Sequence, residues 1–156
     1  MSPEEYMQKA LLLAQKAAEQ DEVPVGALVV NPQNGEIVAE AYNQSAHNGD
    51  ATAHAEILAI QRACQKLNTS RLWDMDLYVT LEPCTMCAAA ISFARVNHLY
   101  FGAVDEKGGA VVSGVKFYDS PTCHHRPQYT GGVCAEACGR LLKDFFTAKR
   151  QNQKIS

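Results

Sequence analysis

The sequence lacks an excess of positive charge. Its 14 lysines and arginines stand against 17 aspartates and glutamates, which gives a formal net charge of −3. No global basic field would therefore draw the protein to nucleic acid. The distribution is uneven, however, because the chain from Arg140 onward carries Lys143, Lys149, Arg150 and Lys154 against the single acid Asp144. This basic stretch could meet phosphates, and a solvated helix face would explain it equally well.

The sequence also lacks a long apolar run and a positively charged N-terminal region. No run approaches the roughly 20 residues that a membrane-spanning helix needs. The chain begins Met1-Ser2-Pro3-Glu4-Glu5, which is unlike a signal peptide. These absences predict a cytoplasmic protein, whose six cysteines should be reduced thiols, metal ligands or catalytic groups rather than disulfides.

Neither an internal repeat nor a linker divides the chain. Its 156 residues match the length of one domain, which buries roughly 70% of the surface that the unfolded chain exposes. The composition, 47% hydrophobic and 20% charged, is ordinary for a globular protein. We therefore predict one domain over residues 1–156, in which residues 151–156 are expected to be flexible because the apolar pattern has ended.

The apolar patterns alternate between helix and strand periods. Ser2 and Pro3 are typical of a helix start, and apolar runs at 25–30 and 36–42, joined by turn residues, predict a hairpin. The later elements are a helix from Thr52 to about Leu67, a strand at 77–81, a helix from about Cys84 to Arg95, a strand at 98–103, and a last helix with Cys138, Leu141, Leu142, Phe145 and Phe146 on its core face. This order predicts an α/β fold with parallel strand pairing and helices on both faces of a mixed sheet. The pattern places no element between residues 108 and 132.

Two short segments carry residues typical of a metal site, His54-Ala55-Glu56 and Pro83-Cys84-Thr85-Met86-Cys87. Cysteines three apart at a helix start lie on one face, so both sulfurs can reach one ion. His54 would complete a set of three ligands. Catalytic zinc sites have three protein ligands and leave the fourth position to water, whereas structural sites normally have four. Glu56, which is not needed as a ligand, could take the proton of that water.

Three other interpretations of the cysteines stay open. They could be a redox pair, although such pairs need no matching histidine or glutamate and usually have Gly-Pro between the cysteines. They could belong to a closed structural zinc site with a fourth ligand from Cys64 or Cys123, or be a core pair beside an unrelated histidine. The joint pattern H-x-E and P-C-x-x-C, each half at a predicted helix start, favours the catalytic zinc site.

This joint pattern resembles the signature of the zinc nucleobase deaminases. The chain further resembles the bacterial tRNA-specific adenosine deaminase family, in the cytidine deaminase-like superfamily, from about Tyr6 to Arg150. The stretches that carry the resemblance are Glu22-Val23-Pro24-Val25-Gly26-Ala27, Thr52-Ala53-His54-Ala55-Glu56, Leu77-Tyr78-Val79-Thr80-Leu81-Glu82-Pro83-Cys84, Phe101-Gly102-Ala103-Val104-Asp105 and Leu141-Leu142-Lys143-Asp144-Phe145-Phe146.

The resemblance implies a three-layer α/β/α cytidine deaminase-like fold with a mixed five-stranded sheet. It implies a cytoplasmic homodimer with one zinc ion per subunit, which binds the anticodon loop of tRNA and converts the wobble adenosine to inosine. A zinc-activated water would attack C6 of adenine and ammonia would leave, with Glu56 moving the protons. Asn43, Val25, Asp105 and the backbone N–H of Ala55 would contact the substrate base.

Alternatives to these implied roles also stay open. Asn43 could cap a turn, Val25 could be a core residue, and Asp105 could serve ordinary turn chemistry. The enzyme could instead deaminate guanine, cytosine or free nucleosides, because the metal signature serves all of them, or the chain could be an inactive zinc-bound RNA-binding subunit. The retained Glu56 argues against an inactive subunit.

The segment 120–127 departs from the form expected in much of the family. Cys123, His124 and His125 could mark a second metal site, although their spacing fits no standard one. The preferred interpretation is that His125 and Arg126 touch RNA or shape the pocket rim.

Overall fold

A mixed five-stranded sheet forms the middle layer of the structure. The computed structural model describes residues 1–155, with side-chain burial for residues 1–152. The elements in chain order are α1 Pro3–Glu19, β1 Gly26–Val30, β2 Ile37–Tyr42, α2 Ser45–Asn48, α3 Ala55–Leu67, β3 Asp76–Leu81, α4 Thr85–Phe93, β4 His98–Ala103, a 3-10 turn Phe117–Asp119, β5 Gln128–Thr130 and α5 Ala135–Ile155. Helices α3 and α4 cover one face of the sheet and helices α1 and α5 cover the other.

The strand order is β2-β1-β3-β4-β5, which confirms the mixed five-stranded sheet. Strand β1 is antiparallel to both of its neighbours, and β3, β4 and β5 are parallel. The predicted hairpin of β1 and β2 is therefore confirmed. We expected each strand of the alternation to pair in parallel with the next one across its crossover helix. This is wrong for β2 and β3, because β1 lies between them and is hydrogen-bonded to both.

Strand β1 is buried on both faces, as its valine-rich run predicts. Val29 joins the core beneath α3 and α4, whereas Leu28 joins the core beneath α1 and α5. Gly26 begins the strand where it passes close to α1, since a Cβ atom added there would overlap the backbone oxygen of Ala10. The absence of a side chain at this position lets the first helix pack directly on the sheet.

The ends of the helices decide where the candidate site lies. Helix α1 begins as predicted, because the Ser2 hydroxyl accepts from the Glu5 N–H and the Glu5 carboxylate accepts from the Ser2 N–H. Thr52, in contrast, is not the N-cap of α3. Its N–H and hydroxyl both donate to Asp50, at 2.9 and 2.7 Å, in a turn before the helix. Helix α3 therefore begins later, and His54 is its N-cap.

The segment that the sequence pattern left unplaced contains little regular structure. The 3-10 turn Phe117–Asp119 and the strand β5 lie in it. All three residues of β5 are exposed, so the strand has no apolar run that could have predicted it. Helix α5 extends through the expected flexible residues as far as Ile155, and Ser156 lies outside the described residues. None of the described helices is both long and apolar enough to cross a bilayer.

Candidate metal centre and adjoining cleft

The N-terminal ends of α3 and α4 carry the three candidate metal ligands. His54 is the N-cap of α3, Cys84 is the N-cap of α4, and Cys87 lies in the first turn of α4. The two helices pack against each other on the same face of the sheet. Backbone N–H groups at a helix N-terminus favour negative charge, so this position favours thiolate, the form of cysteine that binds metals.

The distances between the donor atoms fit one tetrahedral ion. Nδ1 of His54 lies 3.7 Å from Sγ of Cys84 and 3.6 Å from Sγ of Cys87. All three donor atoms lie within 4.8 Å of one another. Zinc bonds of about 2.1 Å to nitrogen and about 2.3 Å to sulfur, at the tetrahedral angle, put the two donors about 3.6 Å apart. The side chains thus already have the spacing that a zinc ion requires.

The protonation of the two thiols also fits a cation. Hydrogen bonding from Cys87 and from the His54 ring lowers the pKa of Cys84 to about 4, although burial opposes this. The same contact with Cys84, together with burial, raises the pKa of Cys87 far above its usual value. The pair by itself therefore carries one negative charge. A divalent cation between them would supply the positive charge that makes both sulfurs thiolates.

Glu56 is a buried carboxyl beside this group and is not one of its three donors. It lies in the first turn of α3 and is only 4% exposed. Burial raises the pKa of Glu56 to about 7. Such a group can either hold or release a proton near neutral pH, which is what general acid–base catalysis requires.

A pocket of about 200 Å³ is lined by Glu56 and by two of the candidate ligands, His54 and Cys84. Val25, Asn43 and Asp105, three of the predicted substrate contacts, also line it. Ala55, the fourth, is the first residue of α3, where backbone N–H groups have no partner within the helix. The structure therefore brings the candidate site residues to one place. Leu81, Glu82 and Gly108 line the pocket as well and were not singled out from the sequence.

Val25, Asn43 and Asp105 also have structural contacts of the kind that the alternative interpretations predicted. Val25 is buried and belongs to the core beneath α3 and α4. Asn43 is 8% exposed, and its backbone N–H donates to the carbonyl of Val25. The Asp105 carboxylate accepts the N–H groups of Lys107 and Gly108 in a turn. These roles coexist with positions in the pocket wall.

A wider cleft of about 680 Å³ adjoins the pocket and shares Val23, Asn43 and His54 with it. Its other wall comes from α5 and includes Phe145, Phe146, Lys149 and Arg150. The prediction that Phe146 lies on the core face of α5 is wrong, because it is 43% exposed in this cleft.

The basic residues of α5 do not act as one stripe. Arg150 lines the cleft, whereas Arg140 forms an ion pair with Glu136 at 2.9 Å. Lys149 lines the cleft, its Nζ lies 2.7 Å from Oδ2 of Asp21, and it sits over the Phe145 ring at 5.7 Å. The cleft thus combines Lys149 and Arg150 on its α5 side with the acidic residues Asp21 and Glu22.

The segment 120–127 is held by contacts with the body of the protein. The buried Cys123 thiol donates to the carbonyl of His125, whose Nε2 lies 2.8 Å from the carbonyl oxygen of Val96. The Arg126 guanidinium donates to the carbonyls of Tyr118 and Ser120. Within the described part of the chain, these cysteine and histidine side chains form no three-ligand cluster, and neither Cys64 nor Cys123 joins the one at His54.

Comparisons with known proteins place this geometry among deaminases. Residues 1–150 match the family model described as MafB19-like deaminase. The chain is 52% identical to a tRNA-specific adenosine deaminase of Agrobacterium fabrum over 145 residues, 93% of this chain and 94% of the relative. It is 43% identical to a tRNA-specific adenosine deaminase of Bacillus subtilis over 151 residues, 97% of this chain and 92% of the relative.

Solved structures show the same fold. A structure from a study of A-to-I editing by tRNA:A34 deaminases at the wobble position superposes with a TM-score of 0.86 and 51% identity, over 88% of this chain and 99% of that one. A guanine deaminase from Nitrosomonas europaea superposes with a TM-score of 0.77 and 25% identity, over 92% and 84% of the two chains. The second similarity shows that related folds also serve a free base.

Proposed function

The chain belongs to the tRNA-specific adenosine deaminase family, and from this premise we propose that it converts the wobble adenosine of a tRNA anticodon to inosine. The reaction is a hydrolysis. The oxygen of a water molecule bonds to C6 of the adenine ring, the bond from C6 to the exocyclic nitrogen breaks, and ammonia leaves.

His54, Cys84 and Cys87 would hold a zinc ion, one per subunit. Their spacing and the shared charge of the two thiols support this assignment. The chemistry that zinc supplies at a three-ligand site is activation of a water molecule, whose pKa it lowers to about 7. No other described cysteine or histidine belongs to the ligand group, so the fourth position stays available to solvent.

Glu56 would carry the protons. Its carboxylate would take a proton from the attacking water and pass it to N1 of the ring. It would then take the remaining proton of the hydroxyl group formed at C6 and pass it to the departing amine. A carboxyl whose burial raises the pKa to about 7 can perform both halves of this exchange. The position of Glu56 in the same pocket as His54 and Cys84 supports the role.

The base would enter the small pocket. Asn43 would donate or accept at its polar edge, Val25 would pack against the ring, and the Ala55 N–H at the start of α3 would orient it. Asp105 also lines this pocket, where it would meet the target nucleotide. About 200 Å³ is less than the roughly 300–1,000 Å³ of common ligand pockets, which suits one base rather than a larger ligand.

The arrangement of the two cavities is the observation that most favours a polynucleotide substrate. The small pocket opens beside a larger cleft whose α5 wall carries Phe145, Phe146 and Arg150, so one base could be inserted while the strand continues outside. Bases of a single-stranded loop can be splayed out and stacked on aromatic side chains. A free base would occupy the pocket and leave the cleft without a role.

One experiment separates this function from deamination of free bases. The purified protein is incubated with an anticodon stem-loop, with adenosine, and with guanine and cytidine, and inosine and ammonia are measured together with the zinc content. We expect inosine in the stem-loop and about one zinc ion per subunit. Ammonia from guanine or cytidine, with the RNA unchanged, would contradict the proposed substrate.

The working form would be a cytoplasmic homodimer. Helix α4 leaves Met86, Ala89 and Ala90 partly exposed and Phe93 72% exposed, and these apolar residues recur at helical spacing on one side. An exposed apolar stripe of this kind is typical of protein interfaces. Sedimentation analysis should give twice the mass of one 17.0 kDa chain; a monomer at micromolar concentration would contradict the dimer.

A further inference from the structure

Glu82 is a buried carboxylate that the proposed reaction does not use. It is 2% exposed and lies two residues before the first cysteine ligand. Its Oε2 accepts the backbone N–H groups of Val111, Val112 and Ser113 at 3.0, 2.9 and 3.0 Å. Its Oε1 accepts the Asp105 N–H at 2.9 Å and the Ser113 hydroxyl at 3.0 Å. All five donors belong to the loop that follows β4.

These contacts make Glu82 an ionised anchor inside the protein. Its two oxygens accept from five donors, an arrangement that suits the carboxylate form, because an ionised carboxyl group only accepts hydrogen bonds. The loop therefore forms a concave row of N–H groups around an anion, similar to an anion-binding nest, but the anion is the side chain of the residue that follows β3.

Backbone hydrogen bonds beside Glu82 also join this segment to the loop and to the end of β4. The Ala110 N–H donates to the carbonyl of Pro83 at 2.9 Å, and the Glu82 N–H donates to the carbonyl of Ala103 at 2.8 Å. Gly109 lies against the carboxylate so closely that an added Cβ atom would overlap it. The loop from Asp105 to Ser113 is thus fastened to the residues that lead directly into the metal ligands.

This loop supplies a wall of the base pocket through Asp105 and Gly108. We propose that Glu82 is a positioning residue: its carboxylate sets the distance between that wall and the metal-ligand helix, and so aligns the base with the reacting water. The inference rests on the proposed function. A shift of about 1 Å in such a wall is enough to cost on the order of 100-fold in rate.

The first test measures the anchor without any substrate. In Glu82→Gln, one of the two carboxylate oxygens that accept hydrogen bonds is replaced by an NH₂ group. This NH₂ group faces donors of the loop and cannot accept from them. Hydrogen exchange of the amides of Asp105, Val111, Val112 and Ser113 should become at least about tenfold faster, since bonds to a charged acceptor are lost. The matched control is Asp76→Asn, which neutralises a buried carboxylate at the opposite end of β3. Unchanged exchange in Glu82→Gln would refute the anchor.

The second test is single-turnover deamination of an anticodon stem-loop with enzyme in excess. We expect the rate constant of Glu82→Gln to fall about 10- to 100-fold, with the dissociation constant of the RNA changed less than about threefold and zinc retained. A purely structural role would instead reduce the amplitude, meaning the active fraction, and leave the rate constant of the remaining enzyme unchanged. That result would overturn the positioning role.

A second variant guards against misfolding of the first. Gly109→Ala leaves Glu82 in place and pushes the loop away from it, so it should lower the rate constant in the same direction and speed exchange at the same amides. A normal rate constant in this variant would count against the inference. If the wild-type protein did not deaminate the stem-loop, the proposed function would fail, and the exchange measurement would still decide whether Glu82 anchors the loop.

Discussion

Replacing Glu56 by glutamine separates the proposed proton transfer from metal binding. The carboxamide has nearly the same size as the carboxyl group, which is 4% exposed, so packing should be retained. Burial raises the pKa of Glu56 to about 7, which means that folding disfavours its charged form relative to the unfolded chain. A neutral amide at this position is therefore not expected to lower the melting temperature.

The size of the effect follows from the burial of the group. General acid–base catalysis by a positioned side chain is worth about 10²–10⁴ in rate, or about 2.7–5.5 kcal/mol in the barrier. Bulk water cannot easily replace a carboxyl that is sealed from solvent, and Glu56 would serve two proton transfers. We therefore expect the upper half of this range, a loss of about 10³–10⁴ in the single-turnover rate constant.

The assay combines three measurements on the same preparation. Inosine formation in the stem-loop gives the rate constant, metal analysis gives the zinc content, and thermal unfolding tests the fold. Zinc should stay near one ion per subunit. Asp76→Asn is the control, because burial also raises the pKa of Asp76 but this residue lies far from the pocket along β3. A rate constant within about tenfold of the wild type, or loss of zinc, would refute the assignment of Glu56 as proton carrier.

Three further substitutions test other parts of the proposal. Cys87→Ser should lower bound zinc well below one ion per subunit and abolish deamination, whereas Cys134→Ser, outside the ligand group, should keep both; metal analysis decides. Arg150→Gln should reduce, by about 0.7, the slope of the logarithm of the RNA binding constant against the logarithm of salt concentration, whereas Lys143→Gln should leave this slope unchanged. Equal slopes in the two variants would contradict the cleft as the RNA site. Glu22→Gln should cost about 2 kcal/mol of unfolding free energy at pH 7. Burial would raise the pKa of Glu22, but hydrogen bonds from His47 and Ala46 of α2 lower it, so its stabilisation is present above pH 4.5 and is lost as the pH falls through the folded value. Urea unfolding at pH 7, 5 and 3 should therefore show wild type and variant converging in acid.

The sequence by itself predicted the local parts of this molecule well. Some features are determined by neighbours within a few residues, so the sequence pattern alone predicts them. They are the helix start at Ser2, the turn between β1 and β2, and the apolar runs of β3 and β4. The types of residue needed for a zinc site are likewise present in two short motifs. Their assignment as ligands stays a prediction, which the donor distances support.

Where these motifs sit was decided by contacts between distant segments. Thr52 has a side chain suited to an N-cap, but its hydroxyl donates to Asp50 instead, and His54 is the N-cap of α3. The strand order depends on β1 pairing with β3, about fifty positions along the chain. No periodicity in either strand encodes that partner.

The pocket and cleft depend on the tertiary structure even more strongly. His54 and Cys84 are 30 residues apart, Glu82 and Asp105 are 23 apart, and Lys149 meets Asp21 across 128. Local sequence determines which residues can bind a metal or carry a proton, because that is a property of each side chain. Only the packing of helices and loops on the sheet determines which of these residues share a cavity. The hydrogen bonds and apolar contacts that hold the cavity together join distant residues, and no sequence pattern indicates that such residues are partners.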